Sequence, residues 1–543
     1  MKETRRKPVC LLLAAVMCII LTGCTSSGNQ AESVQQESGA NGEKIVNIGV
    51  TDSLGGLNTL TVDQSWINAY AIGLEFLPLV QLDGEMNFEP MLADSITTED
   101  NLTFTVHIDD KATWSDGTPV TAQDVEFTVL KLASPVIANP TMMYYVFEGV
   151  GDDGFTQEGA SSIDGVKVID EKTIQFTTKY PISVITFQNS YAAYLRVLPK
   201  HVLEHYSDEE LMTLDWFSHP DVVSGPFMVT DYDTNHYISY TANKNYWKGA
   251  PKIDKLNFKI VDGSQVYAGL KSGEIDVTHH TMTAIPMEDY ESIEALEQVE
   301  VTYGAPVTNQ SVFIQTANIP DARVRQALVY ATDRQQILEQ LMKGHGEIVD
   351  GFLSSASPYF DESITPIPYE PEKAKELLAE AGWDGSKTLK FYVNSGDSTF
   401  VNAAQVMAAQ WASVGIKTEI LTVDFATLMG ITGSTEYDLF AVQYTYAPVD
   451  PYPDVTWLLS GEGSWTGYNS AEIDEAMTVT QQVSEIQEIK AQYSIVDKKV
   501  QEDVPMFSAY VISAQGAVNK RLTGVKADVY GFFNNIHEWD ILE

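Results

Sequence analysis

Residues 103–129, TFTVHIDDKATWSDGTPVTAQDVEFTV, restrict the fold more than any other stretch of the chain. Phe104, Val106 and Ile108 alternate with Thr103, Thr105 and His107, the two-residue period of a half-buried strand. Asp109-Asp110 ends it, and Asp116-Gly117 followed by Pro119 supplies a second turn. Thr121, with Asp124 three residues on, predicts a capped helix start, with Val125, Val129 and Leu132 on the buried face. Strand, aromatic-bearing loop and capped helix in direct succession belong to an α/β domain.

The rest of the chain repeats that alternation. Residues 45–50 read as a short apolar strand closed by DSLGGLN (52–58), whose glycines permit a tight turn and close backbone approach. Residues 66–80 read as a helix ending near Pro78, and 166–169 and 173–177 as strands joined by Asp170-Glu171-Lys172. Gly273 reads as a helix C-terminal glycine before a buried strand from Ile275. Asp321 caps a helix carrying Val324, Ala327, Leu328 and Ala331, and Pro371 and Gly382 bracket another. Residues 389–393 and 416–423 read as strands around a helix ended by Gly415. From about residue 305 this pattern predicts an α/β lobe with a largely parallel sheet.

The N-terminus indicates export. Lys2, Arg5, Arg6 and Lys7 precede an apolar run, 9–21, shorter than the ~20 residues a membrane-spanning helix needs. The run ends in Leu21-Thr22-Gly23-Cys24, which looks like a bacterial lipobox, so Cys24 is expected to become the lipidated first residue. The three cysteines are Cys10, Cys18 and Cys24; cleavage leaves only Cys24, which removes disulfides and cysteine-based metal or catalytic sites. The polar segment that follows, to residue 44, is a flexible tether with a reach of about 25 Å. A net charge of −42 argues against nucleic acid or an anionic membrane surface as partner.

As a string, Trp114-Ser-Asp116-Gly117-Thr-Pro119 followed by Thr121-Ala-x-Asp124-Val125 resembles the family-5 extracellular solute-binding proteins, the oligopeptide-, dipeptide- and nickel-binding receptors of ABC importers. Ser224-Gly225-Pro226-Phe227, Asn243-Lys-Asn245-Tyr246-Trp247, Leu270-Lys-Ser-Gly273-Glu274-Ile275-Asp276-Val277, and Arg323, Arg325 and Asp333 resemble further segments of that family in its order. The resemblance implies an α/β, two-lobed periplasmic-binding-protein-like (type II) fold with an extra domain inserted in the first lobe. The expected organisation is signal peptide 1–23, tether 24–44, lobe I 45–80, accessory domain 81–215, lobe I 216–304, lobe II 305–510 and lobe I again 511–543.

It also implies a monomeric receptor, lipid-anchored outside the bacterial cell membrane, that captures a small ligand, peptide above all, and passes it to permease and ATPase subunits. Neither cofactor nor chemistry on the ligand is expected. By resemblance, Ser53, Leu54 and Gly55 lie at the cleft, and Gln315 takes the place of the family's asparagine at the lobe crossing. The segment 444–454 (YTYAPVDPYPD) is dense in aromatics and carboxylates, suited to a small-ligand cleft and to pairing with a ligand ammonium. It contributes Tyr444, Tyr446, Ala447 and Asp450 to the expected site. Asp450-Pro451 matches the family's acidic-Pro pair, and Ala447 stands where its peptide receptors carry the aspartate that grips the amino terminus. Asp450, Asp454 or a carboxylate elsewhere could replace that anchor, or the ligand is not a peptide.

Other constellations point elsewhere. His201-Val-Leu-Glu204-His205 matches an inverted zinc-protease signature, which defines a rival reading as an exported hydrolase. A receptor that senses a peptide without transporting it shares every sequence feature. His279-His280 reads as a pair of surface histidines after a strand. Asp231-Tyr-Asp233-Thr-Asn235 lacks the glycine of a calcium loop and reads as a turn.

Overall fold

The computed structural model describes residues 42–395, 398–460 and 463–542. The signal peptide, Cys24 and the tether up to residue 41 lie outside them.

The chain builds two lobes around two mixed sheets. In lobe I the central strand Ile45–Val50 lies parallel to Lys255–Ile260 on one side and to Val277–Thr278 on the other. Tyr237–Ala242 and Phe227–Asp233 extend the first side, and Gln515–Asn519 and Val299–Tyr303 the second, all by antiparallel pairing. Val46, Ile48 and Val50, which share one face of the strand, are fully buried.

Three distant segments are clamped at this sheet by one ion pair. Arg521 donates from Nε and Nη2 to the two oxygens of Asp276 at 2.8 and 2.7 Å, and from Nη2 to the Ile45 carbonyl at 3.0 Å. Asp276, itself fully buried, also accepts the Asn47 N–H at 3.0 Å. The C-terminal segment is thereby fastened to the first strand and to the middle of the chain.

Inserted in lobe I is an antiparallel four-stranded sheet, ordered Ala93–Thr98, Thr103–Ile108, Thr173–Thr177, Val166–Val168. The helix Ala122–Leu132 packs on it with the expected capping box: Asp124 accepts the Thr121 N–H at 2.8 Å. Trp114 is fully buried, and the turn after it needs Gly117 at φ 89°. Ser115 exchanges hydrogen bonds with Val223, fixing this loop to the returning lobe I chain.

The lobe II sheet runs Gly346–Glu347, Met506–Ile512, Thr308–Ile314, Leu439–Thr445, Thr388–Asn394, Lys417–Val423. It is mixed, which corrects the largely parallel sheet expected. Thr388–Asn394 is parallel to both its neighbours, Leu439–Thr445 and Lys417–Val423, whereas Thr308–Ile314 is antiparallel to both of its own. The reason is topological. Thr308–Ile314 brings the chain in from lobe I and Met506–Ile512 takes it back out. Strands that enter and leave at the same end of a sheet must run in opposite directions. Thr308 pairs with Ile512, and across the gap Tyr303 pairs with Gln515 in lobe I. The crossings lie side by side, joined by the Gly304 N–H to the Ala514 carbonyl at 2.9 Å.

Two local expectations also change. The helix predicted over 66–80 stops at Gly73, because the Leu74 and Glu75 carbonyls accept N–H groups of Ser224, Gly225 and Phe227. His279 and His280 are buried, not on the surface: the C-terminal segment covers them, with the Phe532 ring 4.7 Å from that of His279. Burial lowers them to about 3 and about 4, so both are neutral at pH 7.

Replacing Arg521 by Met strands Asp276 as a buried charge, and this variant should lose about 3 kcal/mol of stability. Urea unfolding of lobe I, followed by tryptophan fluorescence, measures it. The exposed Lys373–Glu376 pair serves as control, and its removal should cost under ~0.5 kcal/mol.

Candidate functional site

The lobes face each other across two chambers that share Trp66 and Thr445 in their walls. The first, about 330 Å³, has one wall from lobe I and one from lobe II. On the lobe I side, Trp66 and Tyr70 stand one turn apart on the helix Trp66–Gly73, with rings 5.7 Å apart, and Tyr530 tilts against Trp66 at 5.5 Å. The Tyr70 hydroxyl donates to the Val529 carbonyl at 3.1 Å, which sets the ring. Asn189, Tyr194 and Arg196 come from the end of the accessory domain.

Arg196 is buried, with 5% of its surface exposed. It donates to the carbonyls of Ala193 at 2.9 Å and Ala69 at 3.3 Å, while its Nε has no partner. Burial lowers it to about 10, opposed by neighbouring Tyr194 and Tyr70, so it stays charged at pH 7. It forms no ion pair among the described residues.

The lobe II wall is the segment Thr445-Tyr446-Ala447-Pro448 with Asp454. This loop follows the strand Leu439–Thr445, and Asp454 sits in the first turn of the helix Tyr452–Leu459, where the helix dipole favours a carboxylate. Asp454 accepts from the Tyr444 hydroxyl at 2.6 Å and the Ala447 N–H at 3.2 Å. Burial pushes it up to about 6 in spite of those bonds. Among the described residues no cation pairs with it.

The second chamber, about 620 Å³, shares Trp66 and Thr445 with the first and reaches back to the crossings at Ala305, Val307, Ile512 and Ala514. Its lining mixes Ile285, Met287 and Met342 with His280, Gln310 and Gln443.

The structure brings together only part of the site expected from sequence. Tyr446 and Ala447 line the first chamber, and Tyr444 stands behind them, holding Asp454. Ser53, Leu54 and Gly55 line neither chamber. Leu54 is buried and donates to the Thr234 carbonyl, and the Gly55 N–H caps onto Asn68. Gln315 follows the far end of the strand Thr308–Ile314, where its amide bonds Ser434 and Ala317, so it too lies outside. His201 turns to Asp116 at 3.1 Å and Glu204 to Lys200 at 3.7 Å, on a four-residue helix. Trp66, Tyr70 and Arg196 were not anticipated. The only sequence signals are an aromatic pair at helical spacing and one arginine in the apolar run Leu195–Leu198.

Asp450 also leaves the chamber, for a junction between the accessory domain and lobe II. Thr186 Oγ1 lies 3.1 Å from Asp450 Oδ1, 3.1 Å from Gln481 Oε1 and 3.0 Å from Ser183 Oγ. The Ser183 N–H donates to the same Gln481 oxygen at 3.2 Å, which fixes that amide's orientation. One threonine proton thus faces two acceptors. A protonated Asp450 supplies the missing hydrogen; an ionised one leaves two oxygens opposed. Burial pushes Asp450 up to about 7; the Thr186 bond opposes this and Asp454 adds to it. The phenols facing it, Tyr191, Tyr359, Tyr452 and Tyr493, are all held above their ordinary values and stay neutral.

With this geometry in place, the likenesses to known proteins fall into one class. The model of the bacterial extracellular solute-binding proteins, family 5 (Middle), matches residues 87–466, and the chain belongs to that family. The oligopeptide-binding protein AppA of Bacillus subtilis is 26% identical over 98% of this chain and 99% of its own. Its structure in complex with a nonapeptide superposes with a TM-score of 0.73 at 22% identity, covering 92% of this chain and all of that one. The heme-binding protein A of Haemophilus influenzae is 27% identical over 76% of this chain and 77% of its own. The ABC transporter substrate-binding protein CtaP of Listeria monocytogenes gives a TM-score of 0.79 at 23% identity, covering 92% and 100%. The chain is thus a two-lobed, extracytoplasmic solute-binding protein of an ABC importer, and its homologues are binding proteins, not enzymes.

Because the buried pKa of Asp450 lies above the ordinary value of about 4, the junction is at full strength when Asp450 is protonated and weakens as pH rises towards 7. Asp450→Asn removes that dependence. The melting temperature of the variant should therefore gain on that of the wild type between pH 5 and pH 7.5. Parallel curves for the two proteins would refute the proton assignment.

Proposed function

We propose that this protein is a receptor, tethered to the membrane through lipidated Cys24, that captures peptides between its lobes and delivers them to permease and ATPase subunits. Asp454 carries the peptide reading: its carboxylate is held by Tyr444 and Ala447, faces the first chamber, and forms no ion pair among the described residues. A ligand ammonium completes it. Asp454 thus takes the anchoring role that Ala447 leaves vacant. Trp66, Tyr70, Tyr446 and Tyr530 form the apolar walls around that amine, as small-ligand clefts require. The ligand's remainder passes Trp66 and Thr445 into the second chamber, whose larger volume accommodates an extended chain. Hinge motion at the paired crossings opens and closes the cleft. AppA's nonapeptide complex and the peptide-binding relatives support the same ligand class.

Calorimetric titration of the purified protein with a peptide series tests this reading. N-acetylation of a binding peptide, or Asp454→Asn, should weaken binding by about 2–4 kcal/mol, since either removes one partner of a buried charge pair. Unchanged affinity after both alterations contradicts the role given to Asp454. Binding by non-peptides alone contradicts the ligand class.

A further inference from the structure

The first chamber holds a second charge that amine capture does not use. Arg196 lies on the lobe I wall of the space that Asp454 faces from lobe II. Among the described residues its buried guanidinium meets no carboxylate, and two carbonyls receive its N–H groups. Its Nε has no hydrogen-bond partner among the described residues. Transferring a cation out of water without an anion is costly, and arginine's planar fork suits a carboxylate. Structural burial of an arginine looks different elsewhere in this protein: Arg334 faces Asp350 in a buried ion pair, and Arg521 clamps Asp276. Arg325 spends its donors on four backbone carbonyls. Arg196 has neither arrangement.

We propose that Arg196 is a specificity residue that receives a carboxylate of the ligand inside the same chamber in which Asp454 receives its ammonium. Both charges of the ligand must then fit one space of about 330 Å³. Two sources supply such a carboxylate: an acidic side chain at the first residue of a peptide, or the terminal carboxylate of a dipeptide. The inference rests on the ammonium reading of Asp454 but makes a separate demand.

Calorimetry with the full protein and six probes separates the cases: trialanine, its C-terminal amide, glutamyl-alanyl-alanine, its amide, dialanine and dialanine amide. An acidic side chain as source predicts that both glutamyl tripeptides bind at least ten-fold tighter than trialanine amide. A terminal carboxylate as source predicts dialanine at least ten-fold tighter than its amide. In either case Arg196→Met should reduce the preference below two-fold, and Arg196→Lys should retain part of it. Should the methionine variant not fold, the wild-type ranking and the lysine variant decide. Equal affinity of the wild type for the acidic probes and the neutral amides overturns the role of Arg196 while leaving amine capture intact. A preference that survives in Arg196→Met overturns it as well. If none of the six binds, the peptide reading and this inference fall together.

Discussion

The fold depends on one constraint: the chain enters and leaves lobe II through neighbouring strands that run in opposite directions. Thr308–Ile314 and Met506–Ile512 pair along their length, so the two crossings emerge together and are bonded through Gly304 and Ala514. A connection of two short antiparallel segments lying side by side is stiff against sliding and soft against bending. It leaves the remaining edges of the lobes to face each other across a cleft. The Arg521–Asp276 clamp completes this design from the lobe I side, because the returning chain must be fixed to the first strand for the crossings to act as a unit.

Across the cleft the walls carry complementary groups on different bodies. Arg196 belongs to the lobe I side and Asp454 to lobe II, with aromatic rings between. Each charge is costly to bury alone and is held in place by backbone or tyrosine bonds that do not neutralise it. A ligand with both charges offsets both costs when the lobes meet around it, which couples recognition to closure. The Asp450–Thr186–Gln481 junction links lobe II to the accessory domain outside that chamber. The inserted domain therefore bears on the relative position of the lobes as well as on the cleft wall.

Features set by neighbours in sequence were legible. The strand and capped helix of residues 103–132 follow from alternation and from the reciprocal bonds of Thr121 and Asp124. Gly117, Gly273, Gly382 and Gly415 all have positive φ at turns or helix ends. What failed depended on distant segments. The helix from Trp66 ends early because residues 224–227 take its next carbonyls. His279 and His280 are buried by a segment 250 residues further on. At the site, the aromatic and acidic loop 444–454 was visible by composition, but local pattern could not tell which of its two aspartates faces the cavity. Thr186 draws Asp450 away while Tyr444 and the Ala447 amide hold Asp454. Arg196 resembles any arginine at the end of a domain until the opposite wall is in place.

A single ligand gripped by both walls at once should leave its mark in hydrogen–deuterium exchange of the purified protein, recorded with and without a peptide that binds. Protection should rise together in residues 66–73 and 193–197 of lobe I and 445–455 of lobe II, with the crossings at 304–307 and 512–515 also changing. Protection confined to one lobe, or outside these segments altogether, would contradict it.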